Sequence, residues 1–484
     1  MGSILDLEPK TVWNNFNSIC QIPHPSKKEE KIIAFMQDFA KKNNLECITD
    51  EVGNVIIRKP ATAGMENRKG VVLQAHLDMV PQKNSDKKHD FEKDPIETVI
   101  DGEWVRANGT TLGADNGIGV AAIMSVLESK DLVHGPIEAL LTIDEETGMT
   151  GAFGLKAGVL KGDILLNLDS EDEGELYVGC AGGVDATLTL GYSTEKTPDN
   201  TTAYNLSIMG LKGGHSGMDI ILGRGNANKI MFRILKAISK SGVRIADING
   251  GSLRNAIPRE AFTTIVVPNQ SKDAVLKEID TIKGIVAAEL SLVEPDFKVT
   301  CEAASLPANV IESKAAKNII DIVYACPNGV IRMSDSMKGL VETSSNLAIV
   351  KSDGKQVVLS CLIRSSVDTA KEDVTEAFAS IMELAGGKAE FTGGYPGWKP
   401  NMNSPILKTM QEVYQKLYGK TPEIKAIHAG LECGLLGGVY PNWDMISFGP
   451  TIRNPHSPDE RTNIESVGKF WNYLVETLKN IPVK

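Results

Sequence analysis

Five short segments bring imidazoles and carboxylates to, or shortly past, the ends of apolar runs. His76 and Asp78 close "VVLQAHLDMV", Asp115 lies in "TLGADNG", and Glu145 and Glu146 lie in "TIDEETG". Asp169 follows "LLNL", and His456 lies in "TIRNPHSPDE". Taken singly, each is an ordinary helix cap, turn residue or surface acid. Taken together, they would crowd like charges severely unless cations neutralise them. Two imidazoles with several carboxylates suit a borderline divalent metal, zinc first and cobalt or manganese next. An all-oxygen set would suit magnesium or calcium, and the imidazoles argue against it. The set is large enough for two ions about 3.5–4 Å apart with one bridging carboxylate. Asp115, short and set in a Gly-flanked turn, is the best bridge. Of Glu145 and Glu146, one can ligate while the other takes a proton from a metal-bridged water. Asp78 is placed to orient the His76 ring through its other nitrogen.

These residues need elements to deliver them. From Val71 to about Tyr177, apolar strands alternate with helical patterns, the texture of an α/β layer with a largely parallel sheet. In such a sheet the binding crevice opens at the carboxyl ends of the strands. After Gly183 the pattern changes to period-two strands and long amphipathic helices. A weak internal repeat follows. "NANKIMFRILKAIS", "GGSLRNAIP", "EAFTTIVVP" and "SKDAVLKEIDTIKGIVAAEL" form one α–loop–β–α series. "SKAAKNIIDIVYAC", "GLVETSSNLAIV", "KQVVLSCLIRSS" and "KEDVTEAFASIMELA" form the second. Past the Gly/Pro-rich "GGYPGWKPNMNSP" the α/β texture returns, ending in an amphipathic helix that Asn463 would cap. The expected architecture is a mixed, largely parallel α/β catalytic domain from residues 1–184 and 399–484. Into it an α+β lid, residues 185–398, is inserted as a duplicated unit.

Composition narrows the partners. The 484 residues carry a net charge of -11, which opposes phosphate-backbone binding, and no basic stripe overrules it. No apolar run reaches the roughly 18 residues of a membrane span. The N-terminal stretch lacks a basic region followed by an apolar one, and Asp6 stands where a myristoylation motif needs Ser or Thr. Seven scattered cysteines without a C-x-x-C read as reduced thiols, so a cytoplasmic setting is expected. Three motifs fail on inspection. "GIGVAA" follows a polar turn instead of a strand, "GHSGM" lacks the last Gly of a nucleophile elbow, and H-E-x-x-H does not occur. His24, His89 and His134 lie in loop contexts and are assigned nothing.

In order along nearly the whole chain, "HLDMV", "GADNGIG", "IDEETGMTGA", "LNLDSEDEGELYVGCAGG", "GGHSG", "LRNAIPRE", "HAGLECG" and "NPHSPDER" resemble the bacterial aminoacyl-histidine dipeptidases. These carnosinase-like Xaa-His dipeptidases belong to a group of dinuclear zinc peptidases that includes aminoacylases and carboxypeptidase G. The resemblance implies His76, Asp115, Glu146, Asp169 and His456 as metal ligands, with Asp115 bridging. It implies Glu145 as the general base and Asp78 as the residue steering His76. On the lid it implies His215 as the oxyanion stabiliser, with Asn255 and Arg364 holding the substrate's carbonyl and carboxylate; a guanidinium fork suits a carboxylate. His428 and Glu432, four apart, can share a helix face. With five ligands assigned, they are expected near the substrate's amine or behind the ligands.

The expected function is hydrolysis of Xaa-His and similar small dipeptides, since a closing lid confines small substrates. The preference for C-terminal histidine comes from the resemblance alone. The competing expectations are a hydrolase for tripeptides or N-acyl amino acids, and a catalytically silent metal-dependent binding protein. A general base at Glu145 argues against the last. The doubled lid suits either a monomer or a homodimer paired through the lid.

Overall fold

Four apolar strands, Ile137–Thr142, Val71–His76, Ile164–Asn167 and Asp444–Ser447, lie side by side and parallel at the centre of an eight-stranded sheet. The first three are buried along their whole length, as strands covered on both faces must be. On one side Val55–Lys59 pairs antiparallel with Ile137–Thr142 and with Glu46–Thr49; on the other Glu175–Cys180 pairs antiparallel with Asp444–Ser447, and Glu423–Ile427 lies beside it. The coordinates are a computed structural model that describes residues 2–484. They divide into two units. The first comprises the chain up to Cys180, Pro400–Ala426 and Leu431–Lys484; the second comprises Ala181–Lys399 and Ile427–Gly430.

In the first unit the helix Ala114–Glu128 is apolar and buried on every side. Its glycines explain the failed dinucleotide motif. A Cβ on Gly119 would stand 2.7 Å from the Leu168 carbonyl, and one on Gly117 would stand 2.9 Å from the Phe16 ring. These glycines let the helix pack tightly behind Asp115. The last helix, Ile464–Lys479, is capped by Asn463, whose side chain accepts from the Ser466 amide.

The second unit holds a ten-stranded sheet. Alternate residues of its strands, such as Val184, Ala186, Leu188 and Leu190, join four long helices in one core. The helices are Ala227–Ile238, Lys272–Glu289, Ser313–Ala325 and Asp368–Ala385. The second series departs from the expected α–loop–β–α order. "GLVETSSNLAIV" is the body of a strand, Val341–Ser352, paired with Gln356–Ser365. Its run of Thr343, Ser344, Ser345 and Asn346 looks like a loop but is fully buried. Burial is tolerated because most of these polar groups find partners: Thr343 meets the Ser365 hydroxyl, and Asn346 donates to the Arg254 and Ala256 carbonyls.

Candidate active site

The parallel strands end where the sequence placed its chemistry. His76 is the last residue of its strand, Asp169 lies two past Asn167, and Glu145 and Glu146 open a one-turn helix just after Thr142. Asp115 stands at the start of the Ala114–Glu128 helix with non-helical backbone, after Gly113 at φ 69°. His456 comes from the loop beyond the fourth strand and adopts φ 61°, a left-handed conformation costly for a residue with a Cβ.

His76 Nε2 lies 3.1 Å from Asp115 Oδ1 and 3.4 Å from Asp169 Oδ1. His456 Nε2 lies 3.3 Å from Asp115 Oδ2 and 2.9 Å from Glu146 Oε2. The two oxygens of Asp115 therefore face different imidazoles. Bonds of about 2.0 Å in a tetrahedral metal site put neighbouring donors about 3.3 Å apart, so both donor groups have a fitting spacing. Glu146 Oε1 is buried without a hydrogen-bond partner, which leaves a donor atom available to a cation. Glu145 offers an oxygen within 4.8 Å of the donor atoms of His76 and Glu146.

Asp78 does more than steer His76. The imidazole Nδ1 donates to the main-chain carbonyl of Asp78 at 2.9 Å, while the nearer carboxylate oxygen is 3.4 Å away. The carboxylate's shorter bonds come from the amides of Glu145 (2.9 Å) and Glu146 (3.2 Å) and the Ser26 hydroxyl (2.8 Å). It anchors the turn that presents both glutamates. Burial alone would raise its pKa, but the His76, Glu145 and Ser26 bonds hold it down at about 2.

The electrostatics show the crowding. Burial and neighbouring carboxylates push Asp169 up to about 6, against the pull of His76. Glu145 is driven well above the carboxylate range by burial, with Asp169, Glu432 and Glu146 adding to it and His76 opposing. Both imidazoles are drawn toward the charged form. For His76, burial is outweighed by Asp169, Asp115 and Asp78. His456 is raised to about 11, chiefly by its bonds to Asp115 and Glu146. A cation would supply the same compensation.

Of the layer beneath, sequence reading singles out Glu432 alone. Ser170, Ser447, Asn167 and Gln74 form a buried chain in which each donates to the next and Gln74 Nε2 ends on Glu432 Oε2 at 2.6 Å. The Thr142 hydroxyl reaches the same oxygen at 2.8 Å. Glu432, 1% exposed and raised to about 8 by burial, is thus a buried acid under the strand ends. It does not share a helix face with His428. The helix begins at Glu432, and Leu431 before it is extended at φ −137°. His428 belongs to the second unit, where its Nε2 lies 2.7 Å from Ser344 Oγ. Glu460 also escaped notice, although its carboxylate accepts main-chain N–H groups from the Asp115 turn. For the rest of this layer the available signal is a polar residue inside an apolar strand, like Gln74.

Within the second unit, His215 Nδ1 accepts from the amides of Gly217 (3.3 Å) and Met218 (3.1 Å), so its proton sits on Nε2. Burial and the neighbouring Arg364 lower its pKa and keep it neutral. Arg364, 6% exposed, donates to Ser216 Oγ and the Tyr395 hydroxyl, and its Nη2 lies 3.5 Å from His215 Nε2. Two donors at that separation can share one acceptor oxygen. Asn255 is exposed, and its carbonyl accepts the Ser216 amide at 2.9 Å. His24 and His134 are buried against main-chain carbonyls.

A parallel α/β sheet with this set at its carboxyl edge defines a class. Residues 72–480 match peptidase family M20/M25/M40, and the chain belongs to that family of enzymes. Among full-length relatives, the cytosol non-specific dipeptidase of Escherichia coli (strain K12) is 50% identical over 485 residues, covering 100% of both chains. The crystal structure of an aminoacylhistidine dipeptidase from Vibrio alginolyticus is 50% identical, covers 100% of this chain and 99% of its own, and superposes with a TM-score of 0.97. A tripeptidase from Staphylococcus aureus, 16% identical over 98% of this chain and 99% of its own with a TM-score of 0.55, shares the fold.

Proposed function

We propose that the protein is a dinuclear metallodipeptidase that hydrolyses Xaa-His and similar small dipeptides in the cytoplasm. The observation that carries this reading is Asp115, whose two oxygens face His76 and His456 while Asp169 and Glu146 stand beside those imidazoles. His76, Asp169 and Asp115 would hold one ion, and His456, Glu146 and Asp115 the other. Zinc suits the mixed imidazole and carboxylate set best, with cobalt or manganese as substitutes. When bound, the two cations supply positive charge that acidifies a water and polarises the scissile carbonyl.

The chain's own residues do the rest. Glu145, its turn pinned by Asp78, accepts the water proton and passes it to the leaving amine. Asp78 also fixes the His76 ring through its main-chain carbonyl. In the second unit, Arg364 binds the dipeptide's carboxylate, His215 Nε2–H donates to the developing oxyanion, and Asn255 holds the carbonyl. The full-length relatives support a dipeptide substrate, and their names describe both aminoacyl-histidine and non-specific dipeptides.

The test pairs a substitution with a substrate panel. Glu145→Gln should cut hydrolysis by about 10²–10⁴-fold while bound metal stays at two ions per chain. Free-amine dipeptides should outpace their N-acetylated forms. Intact hydrolysis in the variant would overturn the mechanism, and preference for the N-acetylated form would overturn the substrate class.

A further inference from the structure

The loop that carries His456 also carries Glu460, and the proposed chemistry makes no use of it. Glu460 is 2% exposed, and its two oxygens accept four consecutive main-chain N–H groups. Oε2 takes Leu112 (2.7 Å) and Gly113 (3.0 Å); Oε1 takes Ala114 (2.7 Å) and Asp115 (3.2 Å). A single carboxylate thus ties the turn that presents Asp115 to the loop that presents His456.

That tie matters because the two imidazoles are held in different ways. His76 ends a central strand, and its side chain is 1% exposed. The His456 side chain is 51% exposed, so packing does little to fix it. Its backbone and that of Asn454 lie in the left-handed region, at φ 61° and 54°. Such a loop keeps its shape only when its surroundings over-determine it. Glu460 is its deeply buried anchor, followed directly by the strand Arg461–Asn463.

We propose that Glu460 is a positioning residue that clasps the His456 loop to the Asp115 turn and thereby sets the affinity of one metal site alone. The outer site, His456–Glu146–Asp115, depends on the clasp. The inner site, His76–Asp169–Asp115, rests on strand ends. The two ions are therefore inequivalent, and the outer one exchanges more readily. This inference rests on the dinuclear reading above.

A carboxylate that merely capped the helix after Ala114 would stabilise the fold without distinguishing the ions, so the readout is the ratio of two affinities. Metal-stripped wild type and Glu460→Gln are titrated with Zn²⁺ by calorimetry, and ions retained after dialysis are counted by elemental analysis. The glutamine keeps one acceptor oxygen and turns an NH₂ group toward the remaining amides. The second ion should weaken about 10–100-fold, the range seen for partners behind metal ligands, while the first stays within about threefold. His456→Ala should reproduce the loss of one ion. Equal weakening of both ions, or an unchanged second ion, overturns the proposal. Fewer than two ions on wild type overturns the dinuclear reading itself. If Glu460→Gln does not fold, Pro458→Gly decides the matter by loosening the link between His456 and Glu460. It should weaken only the second ion, and an unchanged second ion refutes the clasp.

Discussion

Replacing Asp78 by Asn separates two jobs that the His-x-Asp spacing suggests are one. The carboxylate accepts from Glu145 N, Glu146 N and Ser26 Oγ, whereas His76 Nδ1 donates to the main-chain carbonyl, which the substitution leaves in place. Asn keeps one acceptor oxygen. If that oxygen takes the Glu145 amide, the NH₂ group faces the Glu146 amide, and one charge-assisted bond is lost outright. Such bonds are worth about 1.5–3 kcal/mol, and the surviving bond drops to a neutral one of about 1 kcal/mol. The anchoring lost is about 2–5 kcal/mol. At about 1.4 kcal/mol per tenfold, that is a fall of about 30–4,000-fold in kcat if the turn must hold Glu145 still in the transition state. Metal affinity should change by no more than about tenfold, because the ring keeps its main-chain acceptor. The assay is kcat and KM on an Xaa-His dipeptide at saturating Zn²⁺, with ions per chain counted in the same samples. His76→Ala is the contrast, and it should lose metal first. The reasoning is refuted if Asp78→Asn loses metal in step with rate, or if kcat falls less than about fivefold.

Arg364→Lys keeps the charge and loses the fork, so KM for dipeptides should rise about 10–100-fold with kcat and metal content little changed; steady-state kinetics on the panel checks it. pH should act on the metal-stripped protein through Glu432, whose buried carboxyl stands at about 8 against an unperturbed 4.5. Because the folded pKa lies above the unfolded one, its contribution to stability is full below about 4.5. It is lost as pH rises toward 8, by about 1.4 kcal/mol per pH unit. Calorimetric Tm should therefore fall between pH 5.5 and 8 more steeply without metal than with it, and equal slopes would contradict this.

Much of the catalytic sheet could be read in advance because its strands announce themselves twice, as apolar runs and by the residues just beyond their ends. His76 ends a buried strand, Asp169 lies two residues past another, and the Glu145–Glu146 turn begins three residues after Thr142. What escaped was polarity used inside the core. Thr343 to Asn346 reads as a loop because strand propensity carries no information about partners supplied from elsewhere in the fold. Gln74, Asn167 and Ser447 look like flaws in apolar runs, yet they form the chain that ends on Glu432. The spacing of His428 and Glu432 suggested a shared helix face, but the extended backbone at Leu431 starts the helix too late for that. A four-residue return, Ile427–Gly430, into the second unit has no composition signal at all. Its ties are main-chain bonds, from the Ala181 amide to the Ile427 and Ala429 carbonyls.

Asp78 and Glu460 use the same device. Each is a buried carboxylate that accepts neighbouring main-chain amides, two for Asp78 and four for Glu460, and each thereby fixes an irregular turn carrying proposed metal-site residues. An arginine or lysine in either place would neutralise more charge, but it would also compete with a metal for Asp115, Glu146 and Asp169. Amide dipoles stabilise a buried anion while carrying no net charge. The site can thus keep a strong excess of negative charge where cations would bind while its supporting carboxylates are satisfied by backbone alone. It follows that Asp78→Asn and Glu460→Gln should separate cleanly: the first slows the proton transfer with both ions in place, and the second loosens one ion with Glu145 undisturbed.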